Sequence, residues 1–135
     1  MSNFHLKIVT SKQTLLDEEA EFVMLRTIMG DMGILANHSP FVSELAIGEM
    51  KVRANGQDEF YYVSGGFLEI SKDNVVTILA DEAMLAKDID IEHARRDLAI
   101  AEEKTKKVQE DREVLMTQRA LQEALTKVKV AERFL

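Results

Sequence analysis

Apolar and polar positions follow two different rules along this chain. Up to about residue 80 they come in short runs with strand spacing. Phe4, Leu6 and Ile8 alternate with His5 and Lys7, the period-two pattern of a half-buried strand. Thr14-Leu15-Leu16, Glu21 to Thr27, Ile34-Leu35 and Phe41 to Ile47 follow as further strands, the last two separated by Asn37-His38-Ser39-Pro40. Glu49 to Arg53 and Glu59 to Ser64 flank Asn55-Gly56, a hairpin signal because both central residues of a type I′ turn need positive φ. Phe67 to Ser71 and Val75 to Ala80 flank a second turn at Lys72-Asp73-Asn74. Short strands at close spacing with turn residues between them predict an antiparallel sandwich, of roughly eight to ten strands.

After Asp88 the period changes. From there to Leu135 there is no Gly, no Pro and no Phe, Tyr or Trp before Phe134, and strong helix formers dominate. Asp88 or Asp90 suits an N-cap, with Glu92 in the first turn favoured by the helix dipole. Ile91, Ala94, Leu98 and Ala101 recur at helical spacing, and so do Leu121, Ala124, Leu125, Val128 and Ala131. Between the two seams, Glu102 to Glu113 holds Val108 as its one large apolar residue, so a bend is expected at Lys107 to Asp111, although the same residues could continue one helix. The fold class is therefore β+α: an N-terminal antiparallel β-sandwich over residues 1–87, then a C-terminal two-helix arm over 88–135, as a hairpin or extended. A thin, Ala-rich seam buries little surface, so such an arm is weakly held and suited to two arrangements of similar energy.

Charge sharpens this division. Residues 1–87 carry thirteen acidic and seven basic side chains, while the distal arm, residues 104–135, carries eight basic and five acidic. A basic-ended arm on a protein of net charge −7 suits an acidic partner surface, whereas general nucleic-acid binding would need clustered Lys and Arg. With no cysteine, disulfides and thiolate metal sites are excluded. No apolar run approaches the roughly 20 residues that span a bilayer. The opening Met1-Ser-Asn-Phe-His has neither signal-peptide nor transit-peptide character, so membrane association is expected only through partners, without direct insertion.

Residues 27–48 concentrate three of the six glycines (Gly30, Gly33 and Gly48) and the one proline, Pro40, so several specified bends fall within this stretch. A second block reads Ser64-Gly65-Gly66-Phe67-Leu68-Glu69-Ile70, then Val75-Val76-Thr77-Ile78-Leu79-Ala80. Gly65-Gly66 continues into a strand rather than opening a helix, which points to a bulge or a close backbone approach and not to a phosphate loop. These two motifs, followed by a charged helical tail, closely resemble the epsilon subunit of bacterial F-type ATP synthases, itself related to plastid epsilon and mitochondrial delta. The resemblance covers nearly the whole chain.

It implies a non-catalytic central-stalk (rotor) subunit, peripheral on the cytoplasmic face of the bacterial cell membrane. The sandwich is expected to clamp the gamma subunit and the membrane ring of c subunits, coupling ion-driven rotation to ATP synthesis. The arm is expected to restrain hydrolysis by engaging the alpha and beta subunits. Ile34, Leu35, His38, Phe41 and Phe67, beside the constrained turns, are candidates for the sandwich's contact surface, with core packing as the competing reading. Arg119, Lys127, Lys129 and Arg133 are the arm's candidates, since the family's counterpart helix meets an acidic segment of beta. A stand-alone binding module or chaperone-like adaptor is the alternative from a different class.

Chemistry is sparse. His5, His38 and His93 stand in three different settings, no pair at the i, i+4 spacing of a zinc site. No Gly-x-Ser-x-Gly elbow is present, and His38 reads as a structural turn residue. Neither a catalytic residue nor a cofactor is assigned. Some members of the resembled family sense ATP through an Ile-Asp-x-x-Arg-Ala motif with an upstream Glu and two arginines on the second helix. Here the motif reads Ile89-Asp90-Ile91-Glu92-His93-Ala94, so His93 replaces its arginine and Met84 the upstream Glu. Arg119 matches one distal arginine, but Glu123 takes the other place. A mostly neutral imidazole and an added carboxylate both weaken phosphate binding, so tight ATP binding is not expected.

Overall fold

The structure of the protein, a computed structural model, describes residues 2–107 and 111–135. Seven strands, β1 (Phe4–Val9), β2 (Thr14–Ala20), β3 (Phe22–Thr27), β4 (Gly30–Leu35), β5 (Phe41–Ala54), β6 (Gln57–Ile70) and β7 (Val75–Leu85), form one sheet in the order β2-β1-β7-β6-β5-β3-β4. The sheet folds over a shared core that includes Leu6, Ile8, Val23, Ile34, Leu68 and Ile78. A one-turn 3₁₀ segment, Ala86–Asp88, leads into helix α1 (Ile91–Lys107), and helix α2 (Asp111–Glu132) follows. β1 and β7 pair in parallel, and all the other strand pairs are antiparallel. The first and last strands of the sandwich thus lie side by side, which an antiparallel expectation does not contain.

The strand count of seven also differs from the expected eight to ten, because β5, β6 and β7 each run continuously where the apolar pattern breaks. The reason lies in which face meets the core. In β6, Tyr61 and Val63 point into the core before the glycine pair, and Leu68 and Ile70 after it, so the inward positions switch from odd to even. β5 and β7 switch alongside: Met50 and Val52 against Leu45, Val76 and Ile78 against Ala83. Period-two analysis therefore divides each long strand at the switch.

Gly65 and Gly66, at φ 74° and 117°, sit at that line in β6. The register is the same on both sides, Leu45↔Gly66 and Ile47↔Ser64 with β5, Gly66↔Ala80 and Ser64↔Glu82 with β7, so the pair is a close approach and not a bulge. A Cβ on Gly66 would stand 2.0 Å from the Leu79 carbonyl oxygen.

Turn chemistry behaves as the residues dictate. Asn55 and Gly56 take φ of 54° and 74°, joining β5 to β6. Asn74 closes the β6–β7 turn at φ 64°, and its side chain accepts from the Asn37 N–H at 2.7 Å while donating to the Asn3 carbonyl at 2.8 Å. At the helical arm, the Asp90 carboxylate accepts from the His93 backbone N–H at 3.1 Å, so Asp90, not Asp88, caps α1.

The expected bend, with Val108, falls at residues 108–110, which lie outside the described residues. On either side of it, Ile91, Ala94 and Leu98 of α1 pack with Val128, Val130 and Ala131 of α2, so the start of one helix meets the end of the other as a hairpin. The hairpin lies back on the sandwich, its cluster completed by Ile47, Phe60, Tyr62, Met84, Ala86 and Ile89. Leu125, expected in the seam, is exposed, and Val130 is buried instead. α2 must face both α1 and the sheet, and one helical stripe cannot serve both.

Substituting the two positive-φ positions separates local from buried strain. Gly56→Ala, with open space around it, should cost about 1 kcal/mol. Gly66→Ala should cost at least about 3 kcal/mol, because the added methyl strikes backbone that cannot move aside. Urea unfolding midpoints of the two variants measure the difference.

Candidate functional site

The parity switch divides the outer face of the long strands into two surfaces. On one side of Gly65, Ile47 and Glu49 of β5, Phe60, Tyr62 and Ser64 of β6, and Glu82 and Met84 of β7 lie in registered rows beneath α2. On the other side, the rows Val9–Leu79–Phe67–Glu44 and Lys7–Thr77–Glu69–Val42 carry no cover among the described residues. Val42, Phe67 and Leu79 are 68%, 55% and 53% exposed, and they are held apart by Glu44 and Glu69. Single exposed apolar residues need no explanation, but several of them on neighbouring registered strands make a candidate docking surface.

The β3–β4 turn extends this surface. The Thr27 hydroxyl, buried, donates to the Gly30 carbonyl at 2.9 Å and accepts from the Met29 N–H at 3.1 Å, so the tip is held rigid while Ile28 and Met29 project outward. The Ile28 N–H donates to the Glu44 carbonyl, which fixes the tip beside the uncovered rows. Beyond Asn37, the His38 ring stands edge-on to Phe41 at 6.4 Å between centroids, its Nδ1 2.7 Å from the Ser39 carbonyl. Arg26 Nε donates to Asp31 at 3.0 Å and holds that carboxyl below the usual range.

The expected surface residues divide accordingly. Phe67 lies on the uncovered rows, Leu35 is exposed at the end of β4, and His38 and Phe41 touch each other in the turn before β5. Ile34 is fully buried in the core and offers nothing to a partner, so core packing is its role. Ile28, Met29, Val42 and Leu79 were not singled out from sequence. Two large apolar residues between Thr27 and Gly30, where a turn belongs, are the signal that would have found the tip.

The covered surface is held by polar side chains. The buried Ser64 hydroxyl donates to a Glu123 carboxylate oxygen at 2.6 Å. Lys127 pairs with Glu82 at 3.1 Å and lies over the Tyr62 ring at 5.0 Å from its centroid. Arg133 donates to both oxygens of Glu49, at 3.0 and 3.2 Å, and lies over Phe60. Tyr62 itself is fully buried; among the described residues its hydroxyl completes no hydrogen bond, and burial pushes its titration upward, the neighbouring Ser64 side chain opposing part of that rise. Of the expected arm cations, Lys127 and Arg133 are thus tied to the sandwich, while Arg119 and Lys129 are exposed, Arg119 beside Glu123 one turn away.

The nucleotide-motif positions do not form a common basic cradle. His93 Nδ1 is 3.2 Å from Asp97 on the outer face of α1, Met84 packs into the arm's cluster, and Glu123 is bonded to Ser64. The other histidines stand elsewhere. His5 bridges Asp17 and Glu19 at the sheet edge, and its pKa is raised, chiefly by Asp17.

Two family profiles cover this architecture end to end: the beta-sandwich domain of the ATP synthase Delta/Epsilon chain matches residues 3–86, and its long alpha-helix domain matches 87–132. The chain belongs to the ATP synthase Delta/Epsilon family. An ATP synthase epsilon chain from Propionigenium modestum, described as sodium ion specific, is 53% identical over 135 residues, covering 100% of this chain and 98% of that relative. The epsilon chain of Nitratidesulfovibrio vulgaris is 41% identical over 128 residues, 95% of each. Among solved structures, a chain of the Euglena gracilis mitochondrial ATP synthase, in an OSCP/F1/c-ring assembly, superposes with TM-score 0.80 at 28% identity, over 90% of this chain and 77% of that one. Epsilon chains are non-catalytic subunits of the rotary complex, and membership of such a complex follows for this family member. Among the described residues no helix is long and apolar enough to cross a membrane.

The uncovered rows are surface, not hidden core. Val42→Thr and Leu79→Thr should each change unfolding free energy by less than about 1 kcal/mol, because Thr keeps the strand propensity and little burial is lost. Leu68→Ala, fully buried between them in the strand register, should cost about 2–5 kcal/mol. Chemical denaturation of the three variants checks the assignment.

Proposed function

We propose that this chain is the epsilon-type rotor subunit of an F-type ATP synthase, that its sandwich, residues 1–87, grips the gamma subunit and the c ring, and that its arm, residues 88–135, restrains ATP hydrolysis when it leaves the sandwich for the alpha and beta subunits. The observation that carries this is the unequal treatment of one sheet face. Half of it, rich in apolar side chains beside a rigid tip, is uncovered and fits a permanent partner. The other half is covered by a helix attached through a small apolar cluster, one buried hydrogen bond and surface-type ion pairs worth about 0–1 kcal/mol each, which fits a temporary one. The complex lies at the cytoplasmic face of the cell membrane, and this subunit reaches it through gamma and the ring rather than by insertion.

The geometry distinguishes the four cations offered for the brake. Lys127 and Arg133 are occupied by Glu82 and Glu49 in the folded-back arm, so moving the arm exchanges carboxylates of this chain for those of a partner. Their contribution to the engaged state is offset by what they contribute here. Among the described residues, Arg119 and Lys129 form no ion pair with the sandwich, Lys129 acting on Asp31 only at longer range, and both act mainly in the engaged state.

In the purified complex, Arg119→Ala with Lys129→Ala should raise ATP hydrolysis about two- to tenfold, most clearly at low salt. Lys127→Ala with Arg133→Ala should raise it less, because that pair weakens both arrangements. Deleting residues 88–135 should raise hydrolysis at least as much as either. If the deletion leaves hydrolysis unchanged, the arm is not a brake; if only the deletion acts, the restraint is steric or apolar.

ATP should have little influence on the arm. With His93 turned to Asp97, Met84 in the arm's cluster and Glu123 bound to Ser64, the motif positions present no clustered permanent cations to a triphosphate. Titration calorimetry of the isolated chain should show no saturable binding at micromolar ATP, and a micromolar isotherm would refute this part.

A further inference from the structure

We propose that the Glu123–Ser64 hydrogen bond is the latch that fixes α2 on the sheet, and that the unpartnered Tyr62 hydroxyl beneath the same helix keeps the latch reversible. The inference begins with the helix face involved. Arg119, Glu123, Lys127 and Val130 recur at i, i+4, i+8 and i+11, one stripe of α2, and its middle members are those bonded to the sheet. A stripe of charged residues is what a solvated helix face looks like, yet here it is the docking face. The apolar seam alone does not set where along the sheet the helix stops, because Ala124, Val128 and Ala131 are small and smooth.

The Glu123–Ser64 bond differs from the other ties. Lys127 and Arg133 are long, flexible and partly exposed, and each pairs at the rim. Ser64 is 1% exposed and short, held within β6 between Ile47 and Glu82, so its hydroxyl occupies one fixed point. A charged acceptor 2.6 Å from a fixed, buried donor gives both strength and position, and only one helix rotation and one translation satisfy it. Neither side chain reads as functional alone; the bond spans 59 residues of sequence.

Tyr62 acts in the opposite direction. Its ring contributes apolar burial and a face for Lys127, but its hydroxyl, beside the Ser64 side chain that is already bonded to Glu123, completes no hydrogen bond among the described residues when the helix is down. Lifting α2 returns that group to water. A buried polar group without a partner costs free energy only in the docked state, so it subtracts directly from the latch. Latch and penalty are neighbours on one strand, two residues apart on the same face.

Hydrogen–deuterium exchange across α2 in the isolated, full-length chain tests the device. Glu123→Ala should accelerate exchange in residues 119–131 about tenfold, the size expected for losing a charge-assisted hydrogen bond. Ser64→Ala should do the same in the parent chain and have almost no effect in the Glu123→Ala background, since the two changes remove one interaction. Tyr62→Phe should slow exchange several-fold while keeping the ring under Lys127. Amides of β5 and β6, followed in the same samples, report whether Ser64→Ala disturbs the sheet. If it does, the opposite signs of Glu123→Ala and Tyr62→Phe carry the test. Unchanged α2 exchange in Glu123→Ala, or a Ser64→Ala effect that persists in full without Glu123, overturns the latch; unchanged or faster exchange in Tyr62→Phe overturns the penalty.

The latch gains its meaning from the proposed brake but is measured apart from it. In the assembled complex, Glu123→Ala frees the arm and should lower ATP hydrolysis, opposite in sign to deleting the arm. Accelerated exchange in the isolated chain with hydrolysis unaltered would leave the latch standing and remove the brake.

Discussion

Everything this fold does with its outer face depends on the contact between Gly66 and the Leu79 carbonyl. Two consecutive residues of β6 with positive φ turn the strand over without changing its register, and only glycine fits so close to the neighbouring backbone. Before the turn-over, odd residues feed the core and even residues meet α2; after it, even residues feed the core and odd residues stand in solvent. One strand thus contributes Tyr61 to the core, Tyr62 to the arm and Phe67 to the open surface. Moving a side chain from one of these duties to another would require the switch itself to move, and β5 and β7 switch along the same line.

That line also separates two kinds of binding energy. On the open side, apolar area is available to a partner that stays, since burial is non-directional and scales with the area removed from water. On the covered side, α2 brings charges to a surface of Glu49, Glu82, Ser64 and aromatic rings, with Val128, Val130 and Ala131 as its buried apolar contribution. Polar ties of this kind exchange readily for equivalent ties elsewhere, because the released groups are well solvated in between. A helix docked by a Leu-rich stripe would be harder to lift and would expose an aggregation-prone face once lifted. The arm's composition is what the proposed separation from its platform requires.

The sequence made much of this legible, and its failures have physical causes. Asn55-Gly56 and the α1 seam of Ala94 and Ala101 could be read, and the Asp90 cap and the Gly65-Gly66 close approach each as one of two alternatives, because each depends on local conformation or on a simple period. The long strands were divided because a period of two cannot survive a change of face. Leu125 was placed in the seam and Val130 missed because α2 has two buried stripes, and one of them is charged. Hydrophobic periodicity detects only stripes that water rejects, so Glu123 and Lys127 resemble solvated residues until Ser64 and Glu82 are seen opposite them. Ile34 and Phe67 have similar neighbours in sequence, yet one is fully buried and the other open; nothing short of the register distinguishes them.

The paired cations carry a further consequence for how charge acts in this arm. A positive side chain on a movable helix is commonly credited to the partner it reaches. Lys127 and Arg133 already have carboxylates at 3.1 and 3.0 Å on their own sandwich. What matters for a two-state element is the difference between its two environments, and a charge satisfied equally in both shifts nothing however strong each pair is. Glu123 is the asymmetric member. Its hydrogen bond to a buried, immobile hydroxyl exists only in the folded-back arrangement, and its negative charge opposes any approach of the helix to an acidic surface. The residue that looks least suited to a basic docking helix is therefore the one that discriminates most between the two positions proposed for the arm.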